Sequence, residues 1–122
     1  MRAVREEMPN RLEGGWVLQG ARRLRFVLGD TELAQADIGI VVGREPAVCD
    51  RPIDDVTISR RHCRFSLREG RLYIEDLNSL NGTWVDGRGL APFHAVPVDD
   101  DRSVTLARLT FTVTRVIAAM KP

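Results

Sequence analysis

From Trp16 onward the chain is a succession of short β-favouring runs separated by turn residues, and no other feature restricts its fold as much. The runs fall at 24–28, 38–42, 62–67, 72–77, 83–85, 96–98, 104–106 and 109–116. Several alternate polar and apolar positions. Thr110, Thr112 and Thr114 interleave with Leu109, Phe111 and Val113, the period of a strand with one face buried and one wet. Glu69-Gly70 separates two such runs, and Asp86-Gly87 follows Trp84-Val85. Both dipeptides tolerate the left-handed backbone that a two-residue hairpin requires. Only 31–37 hints at a helix. The pattern predicts an all-β domain, most simply a sandwich of two packed antiparallel sheets.

The 122 residues and 13.7 kDa suffice for one domain and leave no room for a second. A chain of this length buries roughly two-thirds of its unfolded surface and needs neither disulfide nor metal to stand. Cys49 and Cys63 form no CxxC pair, and no apolar signal region precedes them, so reduced thiols and a cytoplasmic location are expected. No apolar stretch is long enough for a membrane span. The net charge of +1 argues against nucleic-acid or membrane-surface binding. Within that balance the basic residues are seventeen Arg and the single Lys121. Codon bias in a GC-rich genome explains the excess in bulk, while the planar five-donor fork of Arg suits phosphate at selected places.

Three polar pieces punctuate the strands. Gly43-Arg44 follows Ile40-Val41-Val42, Thr57 to His62 reads T-I-S-R-R-H, and Ser79 to Thr83 reads S-L-N-G-T, with Trp84-Val85-Asp86-Gly87 behind it. In this order and spacing, the G-R, S-R-x-H and S-x-N-G-T pieces resemble the forkhead-associated (FHA) domain, a bacterial one here, from about Trp16 to Val116. The resemblance implies an FHA/SMAD-like β-sandwich of about eleven strands with its binding loops at one end. It places an FHA domain at 16–117, between a flexible N-terminal tail at 1–15 and a C-terminal tail at 118–122. It also implies a phosphothreonine-dependent signalling adaptor, whose partner is a phosphothreonine-containing protein or peptide marked by an upstream Ser/Thr protein kinase, and which is not an enzyme.

The chemistry of the residues agrees. Phosphothreonine adds about −1.5 to −2 charges and three acceptor oxygens, so its receptor needs converging donors on a stiff scaffold. By the resemblance, Arg44 offers a fork, Ser59 a hydroxyl, Arg60 a second cation and Asn81 an amide for the ligand backbone. Leu80 stands where relatives often carry Thr or Ser, so a hydroxyl is missing there and packing or a backbone contact is expected instead. Gly43, His62, Gly82 and Thr83 are expected to support the binding loops. Leu106-Ala107 replaces the family's frequent Leu-Gly and is read as a simple turn change.

Other readings are weaker. Ser59 and His62 invite a nucleophile–base pairing, but their spacing places them on different faces of a strand with no third partner in view. His62 and Cys63 are adjacent and point apart. Cys49, His62, Cys63 and His94 match no common zinc spacing, so neither metal nor cofactor is expected. Arg60, Arg61, Arg64 and Arg68 form a basic run better read as a solvated face than as a nucleic-acid patch. Asn81-Gly82-Thr83 is formally a glycosylation sequon and reads as a tight turn. The main alternative is an FHA-fold assembly or scaffold module that ignores phosphate, for example in a bacterial secretion or signalling complex.

Overall fold

In a computed structural model, which describes residues 14–117, eleven strands form two sheets packed face to face. The strands are β1 (Gly15–Gln19), β2 (Arg25–Gly29), β3 (Ile40–Gly43), β4 (Arg51–Pro52), β5 (Cys63–Arg68), β6 (Arg71–Asp76), β7 (Thr83–Val85), β8 (Arg88–Gly89), β9 (Val96–Pro97), β10 (Ser103–Leu106) and β11 (Leu109–Val116). One sheet has the order β2-β1-β11-β10-β7-β8 and the other β4-β3-β5-β6-β9. The expected sandwich is present, with one refinement. β4 pairs parallel to β3, Val42 opposite Arg51, so the smaller sheet is mixed. The two-residue β4 and β8 are too short to leave a periodic trace in the sequence. The expected helix is the single turn-and-a-half α1 (Asp30–Gln35), pinned by buried Leu33.

Alternation puts the core where the sequence pattern predicts it. Phe111 and Val113 of β11 and Val104 and Leu106 of β10 are buried, and they face Ile40, Val42, Phe65, Leu72 and Ile74 of the other sheet. Phe26 bridges the layers, with its ring centroid 5.3 Å from Phe111 in an edge-on contact and 6.2 Å from Phe65. Cys63 is fully buried in this cluster. Gly15, expected at the end of the N-terminal tail, instead opens β1. It lies opposite Gly29, where a Cβ would stand 2.5 Å from the carbonyl oxygen of Leu28. Gly14 before it is also buried, and its carbonyl accepts the N–H of Asp30 at 3.2 Å, while residues 1–13 and 118–122 lie outside the described residues.

Register gives the sandwich two unlike ends. β3 finishes at Gly43 and β6 at Asp76, beside the start of β5, while β10 finishes at Leu106 opposite both Thr83 and Leu109. The segments 53–62, 77–82 and 107–108 therefore emerge together. β1 finishes at Gln19 opposite Thr112, so the β1–β2 hairpin tip at 20–24 points the same way. The hairpins at Glu69-Gly70 and Asp86-Gly87 close the opposite end, each with both residues at positive φ. Among the described residues no helix is long and apolar enough to cross a membrane.

Candidate functional site

The loop end is framed by one imidazole. His62 is fully buried, its Nδ1 accepts the backbone N–H of Ser59 at 3.1 Å, and its Nε2 donates to the carbonyl of Gly82 at 2.8 Å. Because Nδ1 accepts, the ring is the neutral Nε2–H tautomer. Burial depresses its pKa from the usual 6.5, opposed by the Gly82 hydrogen bond and by Asp76. The same carbonyl of Gly82 accepts the N–H of Ala107 at 2.9 Å, which joins the β10–β11 turn to the frame. His62 thus ties 53–62 to 77–82, in keeping with the supporting role expected of it. It is buried although Arg64, two residues on, is half-exposed, because strand alternation starts only at Cys63.

Ser59 and His62 do meet, contrary to the separation expected from strand spacing, because the chain turns before β5 begins. The contact uses the backbone of Ser59, not its hydroxyl. Both ring nitrogens are occupied, so neither can take a proton from Ser59 Oγ. That hydroxyl oxygen instead accepts the N–H of Leu80 at 3.0 Å and keeps its own proton to donate outward. Asn81 donates from Nδ2 to the carbonyl of Thr57 at 2.9 Å, leaving its side-chain carbonyl and second N–H uncommitted. Leu80 is 88% exposed and its side chain buries nothing.

Gly43 is where the two sides come closest. A Cβ there would stand 2.0 Å from the carbonyl oxygen of Arg60 and 3.0 Å from Cα of Arg61. Next to it Arg44 donates its N–H to the carbonyl of Ser59 at 2.9 Å, and Glu45 donates to that of Arg60 at 3.3 Å. Absence of a side chain at Gly43 thereby brings Arg44, Ser59, Arg60 and Arg61 to one place. Gly82 has φ +92, and a Cβ there would meet the Trp84 ring at 2.7 Å.

A second network, not foreseen from the sequence, stiffens 77–82 from below. Buried Asp76 accepts the hydroxyls of Ser79 and Thr83, each at 2.6 Å, and the N–H of Ser79 at 3.0 Å. Ser79 Oγ in turn accepts the N–H of Gly82 at 3.0 Å. An Asp three residues before a Ser and seven before a Thr was a readable trace of this turn. On the other side, Asp55 accepts from both the N–H and the hydroxyl of Thr57 and from Arg108 at 3.0 Å. These bonds, the Thr57 hydroxyl first, hold its carboxyl down at about 2.

The arginines complete the electrostatics. Arg51, Arg64, Arg71, Arg102, Arg108 and Arg115 each pair with a carboxylate, and Arg68 lies over the Tyr73 ring. The Arg64–Glu75 pair and the Arg68–Tyr73 contact take those two cations out of the basic run expected at 60–68. Arg44, Arg60 and Arg61 make no side-chain hydrogen bond or ion pair among the described residues, and all three are exposed. Exposed cations, an outward hydroxyl and a half-used amide converge on loops that are themselves fully bonded. The donors of such a place have the chemistry to hold a compact anion.

Known proteins point the same way. The FHA domain family profile matches residues 40–107. A 44-residue stretch is 50% identical to the oxoglutarate dehydrogenase inhibitor of Corynebacterium efficiens, spanning 36% of this chain and 30% of that protein. The FHA domain of the CT664 protein from Chlamydia trachomatis superposes with a TM-score of 0.65 at 28% identity, over 82% of this chain and 96% of that one. The N-terminal FHA domain of Rad53p from S. cerevisiae, solved with a phosphothreonine peptide, shares the fold with a TM-score of 0.68 at 20% identity, over 83% and 93% of the two chains.

Proposed function

The chain belongs to the FHA domain family, and from that premise we propose that it is a phosphothreonine-dependent protein-binding module that recognises partners phosphorylated by a Ser/Thr kinase. The module begins with Gly15, the first residue of β1, and runs to residue 117. Arg44 and Arg60 hold the phosphate, the hydroxyl of Ser59 donates to it, and Asn81 steadies the ligand backbone. Leu80 contributes apolar contact at the rim. Gly43, His62, Gly82 and Thr83 keep the loops in place. The module acts by binding rather than by catalysis, and a cytoplasmic setting follows from its partners. The yeast domain solved with a phosphothreonine peptide lends support through the shared fold. The observation that carries the reading is that Arg44 and Arg60, whose side chains make no hydrogen bond or ion pair among the described residues, are held against Ser59 by the side-chain-free approach at Gly43.

Calorimetry with phosphothreonine peptides and their unphosphorylated twins tests it. Hydrogen bonds to a charged group are worth about 1.5–3 kcal/mol each, so two or three give the phosphorylated peptide an advantage of roughly a hundredfold or more. R44A removes most of that advantage and leaves thermal stability within about 0.5 kcal/mol, because an exposed side chain without partners is lost. Equal binding of the twins refutes the reading. So does undiminished phosphate preference in R44A.

A further inference from the structure

The near-neutral total hides a segregation of charge along the sandwich axis. Six described arginines have neither an ion pair nor a side-chain hydrogen bond or ring contact: Arg22, Arg23, Arg44, Arg60, Arg61 and Arg88. Five of them stand at the loop end, and only Arg88, beside the Asp86-Gly87 hairpin, stands at the other. Arg22 and Arg23 occupy the tip of the β1–β2 hairpin, both at positive φ and both exposed. Arg61 lies directly across from Gly43, next to Arg44. Carboxylates gather instead at the far end, where Asp30, Asp86 and Asp99 pair with local arginines and Glu69, Asp100 and Asp101 sit in the turns.

One phosphate does not account for this many cations. Its charge of about −2 is matched by two guanidinium forks, those of Arg44 and Arg60. Arg61, Arg22 and Arg23 remain, with their mutual repulsion unrelieved. The local acids do not relieve it. Asp55 is engaged by Arg108 and Thr57, while Glu45 and Asp54 make no ion pair with any of these arginines. Resting on the phosphothreonine reading above, we propose that the ligand is acidic beyond its phosphate. Asp or Glu residues flank the phosphothreonine, and Arg61, with Arg22 and Arg23 on the neighbouring hairpin, recognises them.

The test uses three phosphothreonine peptides of equal length with acidic, neutral or basic flanks, their unphosphorylated twins, and a single-stranded oligonucleotide of matching charge. Each is titrated calorimetrically against the wild-type chain, R61Q and R22Q/R23Q. Exposed ion pairs are worth about 0.2–1 kcal/mol each, so acidic flanks improve wild-type affinity about tenfold over neutral ones at low salt. Raising ionic strength to about 0.5 M erases most of that gain. R22Q/R23Q shrinks the acidic preference while binding the neutral phosphopeptide as the wild type does, and R61Q lowers affinity for the acidic phosphopeptide more than for the neutral one. Equal affinity for acidic and neutral flanks overturns the proposal. So does an acidic preference that survives both variants, or oligonucleotide binding as tight as that of the acidic phosphopeptide. Failure of the phosphothreonine reading shows separately, as phosphorylated and unphosphorylated twins that bind alike.

Discussion

Gly43→Ala inserts a single methyl at the tightest point of the loop end. The added carbon would lie 2.0 Å from the carbonyl oxygen and 2.7 Å from the carbonyl carbon of Arg60, whereas ordinary contact begins at 3.4 Å. Both neighbours are backbone, so no side chain can swing away and the 59–61 segment must retreat by about 1.4 Å. That movement takes the Arg44–Ser59 and Glu45–Arg60 hydrogen bonds, at 2.9 and 3.3 Å, out of range. Two lost backbone bonds at about 1 kcal/mol each, with overpacking of about 1–3 kcal/mol, put the destabilisation at about 3–5 kcal/mol. Ser59 and Arg60 also move away from Arg44, and losing one charge-assisted contact lowers phosphopeptide affinity roughly tenfold to a hundredfold. The comparison is Gly87→Ala at the opposite end, where φ is +81 and no atom lies within 4 Å of the added carbon. It costs about 1 kcal/mol of backbone strain and leaves affinity alone. Thermal unfolding and calorimetry on both variants decide the matter. A G43A protein with native stability and affinity refutes the argument, and so does an equal affinity loss in G87A.

Two further outcomes follow from the same loops. His62 has its pKa depressed by burial, so between pH 6.5 and its lower folded value the unfolded chain binds a proton that the folded chain does not. Stability is therefore full above pH 6.5 and falls as pH drops through that window, and H62Q flattens this fall when unfolding is followed from pH 7 to 5. Ala107 has φ +56 as the first of the two residues between β10 and β11, a place where glycine is usual. Ala107→Gly relieves about 1–2 kcal/mol of left-handed strain against about 0.5 kcal/mol of added chain entropy, raising the melting temperature by about 4 °C in differential scanning calorimetry.

Much of this was legible in the residues. Alternation in Leu109–Val116 and the two hairpin dipeptides gave the sandwich, because burial on one face and positive φ in a tight turn are local requirements. Gly43, Arg44, Ser59 and Asn81 declared themselves as motif pieces. What stayed hidden depends on contacts distant in sequence. The Arg108–Asp55 pair spans 53 positions, and the double acceptance at Gly82 joins His62 and Ala107 from two other loops. The turn at Ala107 looked harmless because its φ is imposed by the strands it connects. Net charge concealed the polarity of the molecule, since a sum discards position.

The bonds that hold the loop end have a consequence for how such a module diverges. They run through His62, Asp76, Ser79, Thr83 and backbone groups, together with the side chains of Ser59 and Asn81. The side chains of Arg44, Arg60, Arg61 and Leu80 carry none of them. With Arg44 and Arg60 kept for the phosphate of the proposed ligand, Arg61 and Leu80 can change without redrawing the loops beneath, so a copy of this gene can be retargeted to a different phosphoprotein by surface substitutions alone, with no refolding problem to solve on the way.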